Sequence, residues 1–129
     1  MKALVLSNNK FEVKEIDNTL EALQSIVGGY IEIPYLSKRL YENGIDIIIN
    51  EEGKFIDGLK AEIAVIDKDT NKVVDLVFGN CIFASHDEEG NTTELTEAQE
   101  QFLRTELKVS IVLTYADTEE SFICKALFI

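Results

Sequence analysis

The stretch that decides the fold runs from Ile26 to Gly58. It reads Ile26-Val27-Gly28-Gly29-Tyr30-Ile31-Glu32-Ile33, a polar irregular passage, then Ile45-Asp46-Ile47-Ile48-Ile49-Asn50-Glu51-Glu52-Gly53-Lys54. Two adjacent glycines can take the positive φ that ends a helix and let a strand begin at once. The β-branched runs on either side suit a buried sheet. The reading is helix end, tight turn, strand, then a second strand closed by an acidic turn.

Upstream, Lys2 to Ser7 and Phe11 to Ile16 predict two strands around Asn8-Asn9, a pair that tolerates the left-handed region of a hairpin turn. Asn18-Thr19-Leu20-Glu21 has the form of a capping box with Asn18 as the cap. Leu20, Leu23 and Val27 recur at helical spacing, so a helix stops at Gly28. Tyr30 to Ile33 reads as a strand bordered by Pro34, and Ser37-Lys38-Arg39 as a basic turn that would also suit a small anion.

Downstream, Ala61 to Ile66 and Val73 to Phe78 flank a polar tip, and Cys81 to Ser85 resumes as strand after Gly79-Asn80. Thr96-Glu97-Ala98-Gln99 opens a second helix to about Leu107, with Glu97, Glu100 and Glu106 expected to face water. Val109 to Tyr115 and Phe122 to Ile129 predict a last hairpin around Asp117-Thr118-Glu119-Glu120. The apolar terminal strand needs a cover, either the core or another subunit. The class is α+β, a mainly antiparallel sheet with two helices, in a single domain spanning 1–129.

Composition bounds function. Net charge −12 repels nucleic acid and anionic membranes at long range, and no apolar run reaches the roughly 20 residues of a membrane span. The N-terminal run is too short for a signal peptide. The acid admits two readings, a solvated surface or an imitation of DNA phosphates for a DNA-binding partner. Cys81 and Cys124 lack metal spacing and read as buried free thiols. His86 in an acidic loop is a general base only if something orients it, and otherwise a solvated residue beside Asp87. No HExxH, phosphate-binding glycine loop or dinucleotide fingerprint is present, and Asp67-Lys68-Asp69-Thr70-Asn71 lacks the glycine of a calcium loop. The expectation is a protein that is not an enzyme, with no catalytic residues, metal or cofactor.

Four segments carry a resemblance: Val27-Gly28-Gly29-Tyr30-Ile31-Glu32, Asn50-Glu51-Glu52-Gly53-Lys54, Asp75-Leu76-Val77-Phe78-Gly79-Asn80, and the acidic Gly90 loop leading to Leu95-Thr96-Glu97-Ala98-Gln99. Together they are similar to a family of small phage and mobile-element proteins known as a domain of unknown function, number 3846. With its C-terminal hairpin the chain resembles, within that group, the first-described phage anti-Thoeris family. That resemblance implies a sponge in the host cytoplasm. It binds cyclic ADP-ribose isomers made by a TIR-domain defence enzyme, in some members cyclic oligonucleotides too, and starves the downstream effector. It also implies a homo-oligomer with pockets between subunits. Such a ligand needs an aromatic or apolar slot for adenine and cations or N–H donors for pyrophosphate. Under the resemblance, Phe83 would supply the stacking face, Asn91 an amide and Arg104 the cation. Each also reads as an ordinary residue: Phe83 as core, Asn91 as turn, Arg104 as helix surface. The rival reading is an acidic DNA mimic or other inhibitor of a host DNA-binding protein.

Overall fold

Two sheets face each other across one apolar layer. In the computed structural model, which describes residues 1–114 and 118–129, the chain runs β1 (Lys2–Ser7), β2 (Lys10–Glu15), α1 (Leu20–Val27), β3 (Ile31–Glu32), α2 (Lys38–Glu42), β4 (Ile45–Asn50), a 3-10 turn (Gly53–Phe55), β5 (Ala61–Asp67), β6 (Lys72–Phe78), β7 (Cys81–His86), β8 (Thr92–Thr93), α3 (Glu97–Glu106), β9 (Ser110–Thr114) and β10 (Ser121–Phe128). The first sheet has the order β2-β1-β7-β4-β3, with β8 beside the end of β7, and the second the order β6-β5-β10-β9. The pairings are antiparallel except β5 with β10, which is parallel. The α+β, mainly antiparallel class holds. The expected strand end at Tyr115 and turn residue Asp117 lie outside the described residues.

Alternation along the strands sorts the side chains into layers. Leu4, Leu6, Ile45, Ile47, Cys81 and Phe83 of the first sheet meet Ile63, Val65, Val77 and Leu127 of the second, and α2 and α3 add Leu40, Leu103 and Leu107. The other face of the first sheet presents Ala3, Val5, Ile48, Ile82 and Ala84 to Leu23 and Val27 of α1. The outer face of the second sheet is a separate cluster: Ala61, Ala64, Ile66, Phe122, Cys124 and Ala126, with Leu76, Phe78, Ile111 and Leu113 against it. Every member of that cluster comes from the sheet's own four strands. The apolar terminal strand is explained by its place, because β10 lies between β5 and β9 rather than at an edge.

Local chemistry corrects several boundaries. Thr19, not Asn18, caps α1 and accepts from the Ala22 N–H, while the Asn18 amide donates to the Thr92 carbonyl. Gly28 ends α1 at φ 84 as expected. The basic turn at Ser37-Lys38-Arg39 is instead the start of α2, capped by the Ser37 hydroxyl, which accepts from the Leu40 N–H. A five-residue helix leaves too short a periodic signal to read. The strand expected at Tyr30 to Ile33 shrinks to Ile31–Glu32. Its partner β4 bonds only those two residues, at Asn50 and Ile49.

One polar contact ties the sheets together. Asn8 and Asn9 turn the β1–β2 hairpin with φ of 52 and 63. The Asn9 N–H donates to the Glu62 carboxylate at 3.0 Å. A register shift between Ala61 and Ile63 lets Glu62 turn inward, where it is 4% exposed. Burial raises its pKa, and the N–H bonds from Asn9 and Asn8 oppose that rise. An acid with a raised folded-state pKa holds its proton longer in the native state than in the unfolded chain, so its contribution worsens as pH rises through that window. Glu62→Gln keeps an acceptor oxygen for Asn9 and removes the buried charge. Chemical denaturation should show a higher midpoint for Glu62→Gln at neutral pH, with the gain shrinking as pH falls toward the ordinary glutamate value of 4.5.

Candidate functional site

Side chains that carry chemistry gather at both ends of the layer between the sheets, one beside β2 and one beside β3. At the β2 end, Phe11 pairs with Leu6 and so turns inward. Its ring meets Phe83 edge-on, with centroids 6.0 Å apart and planes at 61°. The Arg104 guanidinium and the Lys125 ammonium each lie 5.6 Å from the Phe11 centroid. Cations are drawn to an aromatic face by its quadrupole. Arg104 is held in place by Glu100 one turn earlier on α3, with Nε donating at 3.0 Å. Lys2 reaches the other Glu100 oxygen at 3.3 Å. The Arg104 bond, more than the Lys2 contact, holds the Glu100 carboxyl below its usual range. Lys125 Nζ donates to the Ser110 hydroxyl at 3.3 Å, and that hydroxyl donates to the Asn9 amide oxygen at 3.4 Å. Among the described residues no carboxylate pairs with Lys125.

The three residues singled out by resemblance fare differently. Arg104 stands in this cluster. Phe83 does not offer a stacking face, because it is 0% exposed in the middle of the inter-sheet core. Its strand is flanked by β1 and β4, and its inward position at the Leu4 and Ile47 register buries it completely. Asn91 is a loop brace. Its N–H and its amide both donate to the Asp87 carboxylate, at 2.8 and 3.1 Å. Those bonds hold the Asp87 pKa below its ordinary value. No contact joins Asn91 to Phe83 or Arg104. Phe11 and Lys125 were missed. Lys125 had a signal, as the one charge within the apolar run Phe122 to Ile129.

The acids of α3 are also not simply solvated. Glu100 and Glu106 keep 15% side-chain exposure, the first beside Arg104 and Lys2, the second under a two-point bond from Arg39. His86 is half-buried rather than free in its loop. Its Nδ1 lies 3.1 Å from Asp46, and its ring is 5.4 Å from that of Tyr41. Cys81 and Cys124 are buried free thiols, and burial pushes both thiol pKa values up.

At the β3 end the fold brings together three of the four segments quoted above. Asn50 donates its amide to the Val27 carbonyl and accepts from the Glu52 N–H. The Glu51 N–H donates to the Tyr30 carbonyl. Gly53 packs so close to the next strand that a Cβ there would stand 2.7 Å from the Phe78 carbonyl oxygen. Lys54 reaches Asp75 at 2.5 Å, and the Asn80 amide donates to the Ile26 carbonyl. Between them lies a cavity of about 210 Å³, walled by Pro34, Leu36, Ile49, Leu76, Val77 and Phe78 and rimmed by Glu32, Glu51, Asp75, Lys54 and Phe55. Four strand spacings of about 4.8 Å separate β2 from β3, so the two edges of the first sheet are roughly 19 Å apart. Among the described residues there is no group of three or more metal-binding side chains, and no helix is long and apolar enough to cross a membrane.

These features define a small two-sheet α+β domain with a cavity at the β3 end of its core. The chain belongs to the family described as Domain of unknown function (DUF3846), matched over residues 1–108. No curated protein and no solved structure matches it. Strands β9 and β10 fall beyond the matched residues.

The correction at Phe83 has a measurable consequence. Removing a fully buried aromatic ring loses its transfer energy and leaves a cavity, typically about 3–5 kcal/mol. Phe83→Ala should therefore lower unfolding free energy by about that amount in a urea titration. A stable, fully folded variant would return Phe83 to the surface.

Proposed function

We propose that the protein binds a cyclic ADP-ribose isomer and holds it without cleavage, so withdrawing the signal of a Thoeris defence system. Membership of the DUF3846 family supports the coarse part of the resemblance. The observation that carries the finer part is the pair of cations on Phe11. On a chain of net charge −12, a pyrophosphate needs a local positive site. Arg104 and Lys125 converge on one ring at 5.6 Å each. Glu100 takes only Nε of Arg104, which leaves the two terminal nitrogens as donors for phosphate oxygens. The hydroxyl that holds Lys125 is a weak competitor for an anion.

The same reading takes the working form as a homo-oligomer. The outer face of the second sheet supports it, since Leu76, Phe78, Ile111 and Leu113 remain partly exposed there over buried Ala64, Ile66, Cys124 and Ala126. Copies of so acidic a chain can approach closely only where charge is absent, and two sheet faces pack well against each other. Light scattering at micromolar concentration should give at least a dimer, and a clean monomer counts against the shared assembly.

A sponge must hold its ligand below the level the effector senses, which calls for a Kd of order nanomolar, about −12 kcal/mol. In calorimetric titration, Arg104→Ala and Lys125→Ala should each weaken binding by more than about 30-fold, since a phosphate-contacting hot spot contributes roughly 2 kcal/mol or more. The loss should be largest at low salt. Both substitutions sit outside the buried layer, so circular dichroism should be unchanged. Ligand released by heat should have its original mass, and a cleaved product would indicate an enzyme. Full-affinity binding by both variants would overturn the site.

A further inference from the structure

The cavity at the β3 end has the opposite character to the cluster on Phe11. Its walls are apolar: Pro34, Leu36, Ile49, Leu76, Val77 and Phe78. Its rim carries three carboxylates, Glu32, Glu51 and Asp75, against one cation, Lys54. Asp75 is already engaged by Lys54, while Glu32 and Glu51 have no cationic partner among the described residues. Phe55, also at the rim, is 85% exposed, so its ring face is open to solvent. Gly53 allows the backbone to close on β6, so the cavity floor is fixed rather than a gap between loose loops.

We propose that this cavity binds a small organic cation, an ammonium or guanidinium group on an apolar stem. The apolar walls take the stem, Glu32 and Glu51 take the charge, and the Phe55 ring offers a cation–π face at the mouth. Lys54 shows the chemistry within the chain itself: it is an ammonium on an aliphatic stem, lying at this cavity and bonded to Asp75. A phosphate is disfavoured here, because it meets three carboxylates for one already-paired lysine. The site is separate from the cluster at Phe11, lying at the opposite edge of the first sheet.

Agmatine is the probe, titrated calorimetrically into the full chain, with 4-guanidinobutyrate as the control. The control keeps the guanidinium on a similar stem and carries a carboxylate where agmatine has its terminal ammonium. Agmatine should bind one-to-one, and the control at least about tenfold more weakly through repulsion by the rim. Exposed ion pairs contribute about 1 kcal/mol or less each, so Glu32→Gln with Glu51→Gln should weaken agmatine by roughly fivefold to tenfold. Lys54→Met is the decisive variant. It removes the competing cation and should tighten agmatine binding several-fold, whereas at an anion site it would abolish affinity. The three positions are exposed, so the variants should keep the wild-type circular dichroism and thermal midpoint. A parallel titration with acetyl-Gly-Arg-Gly-amide separates the sources of this chemistry. Binding of agmatine alone assigns a free amine, and binding of both assigns a site that also admits a protein side chain. Absence of agmatine binding, or weaker binding by Lys54→Met, overturns the proposal.

Discussion

The structure depends on one apolar layer shared by two sheets, with Phe83 near its middle. Phe83, Leu4, Leu6, Ile63 and Leu127 are all 0% exposed there. Burying side chains of this size contributes roughly 1.5–3 kcal/mol each. The second sheet needs a partner for its inward apolar side chains, and the first sheet needs a cover on both faces. The layer meets both demands, with α1 sealing the far side of the first sheet. Polar contacts across the layer are few, and the Asn9–Glu62 bond fixes how the hairpin of one sheet sits over the edge of the other.

The two ends of the layer are places where side chains lie between core and solvent. The ends have opposite charge character for a topological reason. The β2 end is approached by α3 and β10, which deliver Arg104 and Lys125. The β3 end is approached by the turns after β4 and the strand β6, which deliver Glu51, Lys54 and Asp75. At the β2 end the partly buried Phe11 ring extends the core toward the solvent.

The last hairpin makes the second sheet complete. The family match ends at residue 108, before β9 and β10. Yet β10 sits between β5 and β9, places Leu127 in the shared layer and carries Lys125 to Phe11. Its parallel pairing with β5 requires a long path between the two strands, here supplied by β6, β7, α3 and β9. A segment beyond the matched residues thus supplies both core and a candidate binding cation.

By itself the sequence determined the elements whose signals are local. The Gly28 helix stop, the Thr96 to Gln99 capping box, the Asn8-Asn9 hairpin and the β5–β6 hairpin follow from capping, positive φ and alternation within a few residues. The apolar run Phe122 to Ile129 also marked the last strand as one requiring cover. What only the tertiary structure decided was which strands become neighbours and which residues meet across them. No local rule places Lys125 and Arg104 on Phe11, because the three come from β10, α3 and β2, which meet only through the packing of the two sheets and the helix. No local rule separates Phe83 as core from Phe83 as a surface ring, since a phenylalanine on a strand reads alike in both cases. Burial is a property of what packs on top, and that partner is set by long-range pairing rather than by the residue's own neighbours in sequence.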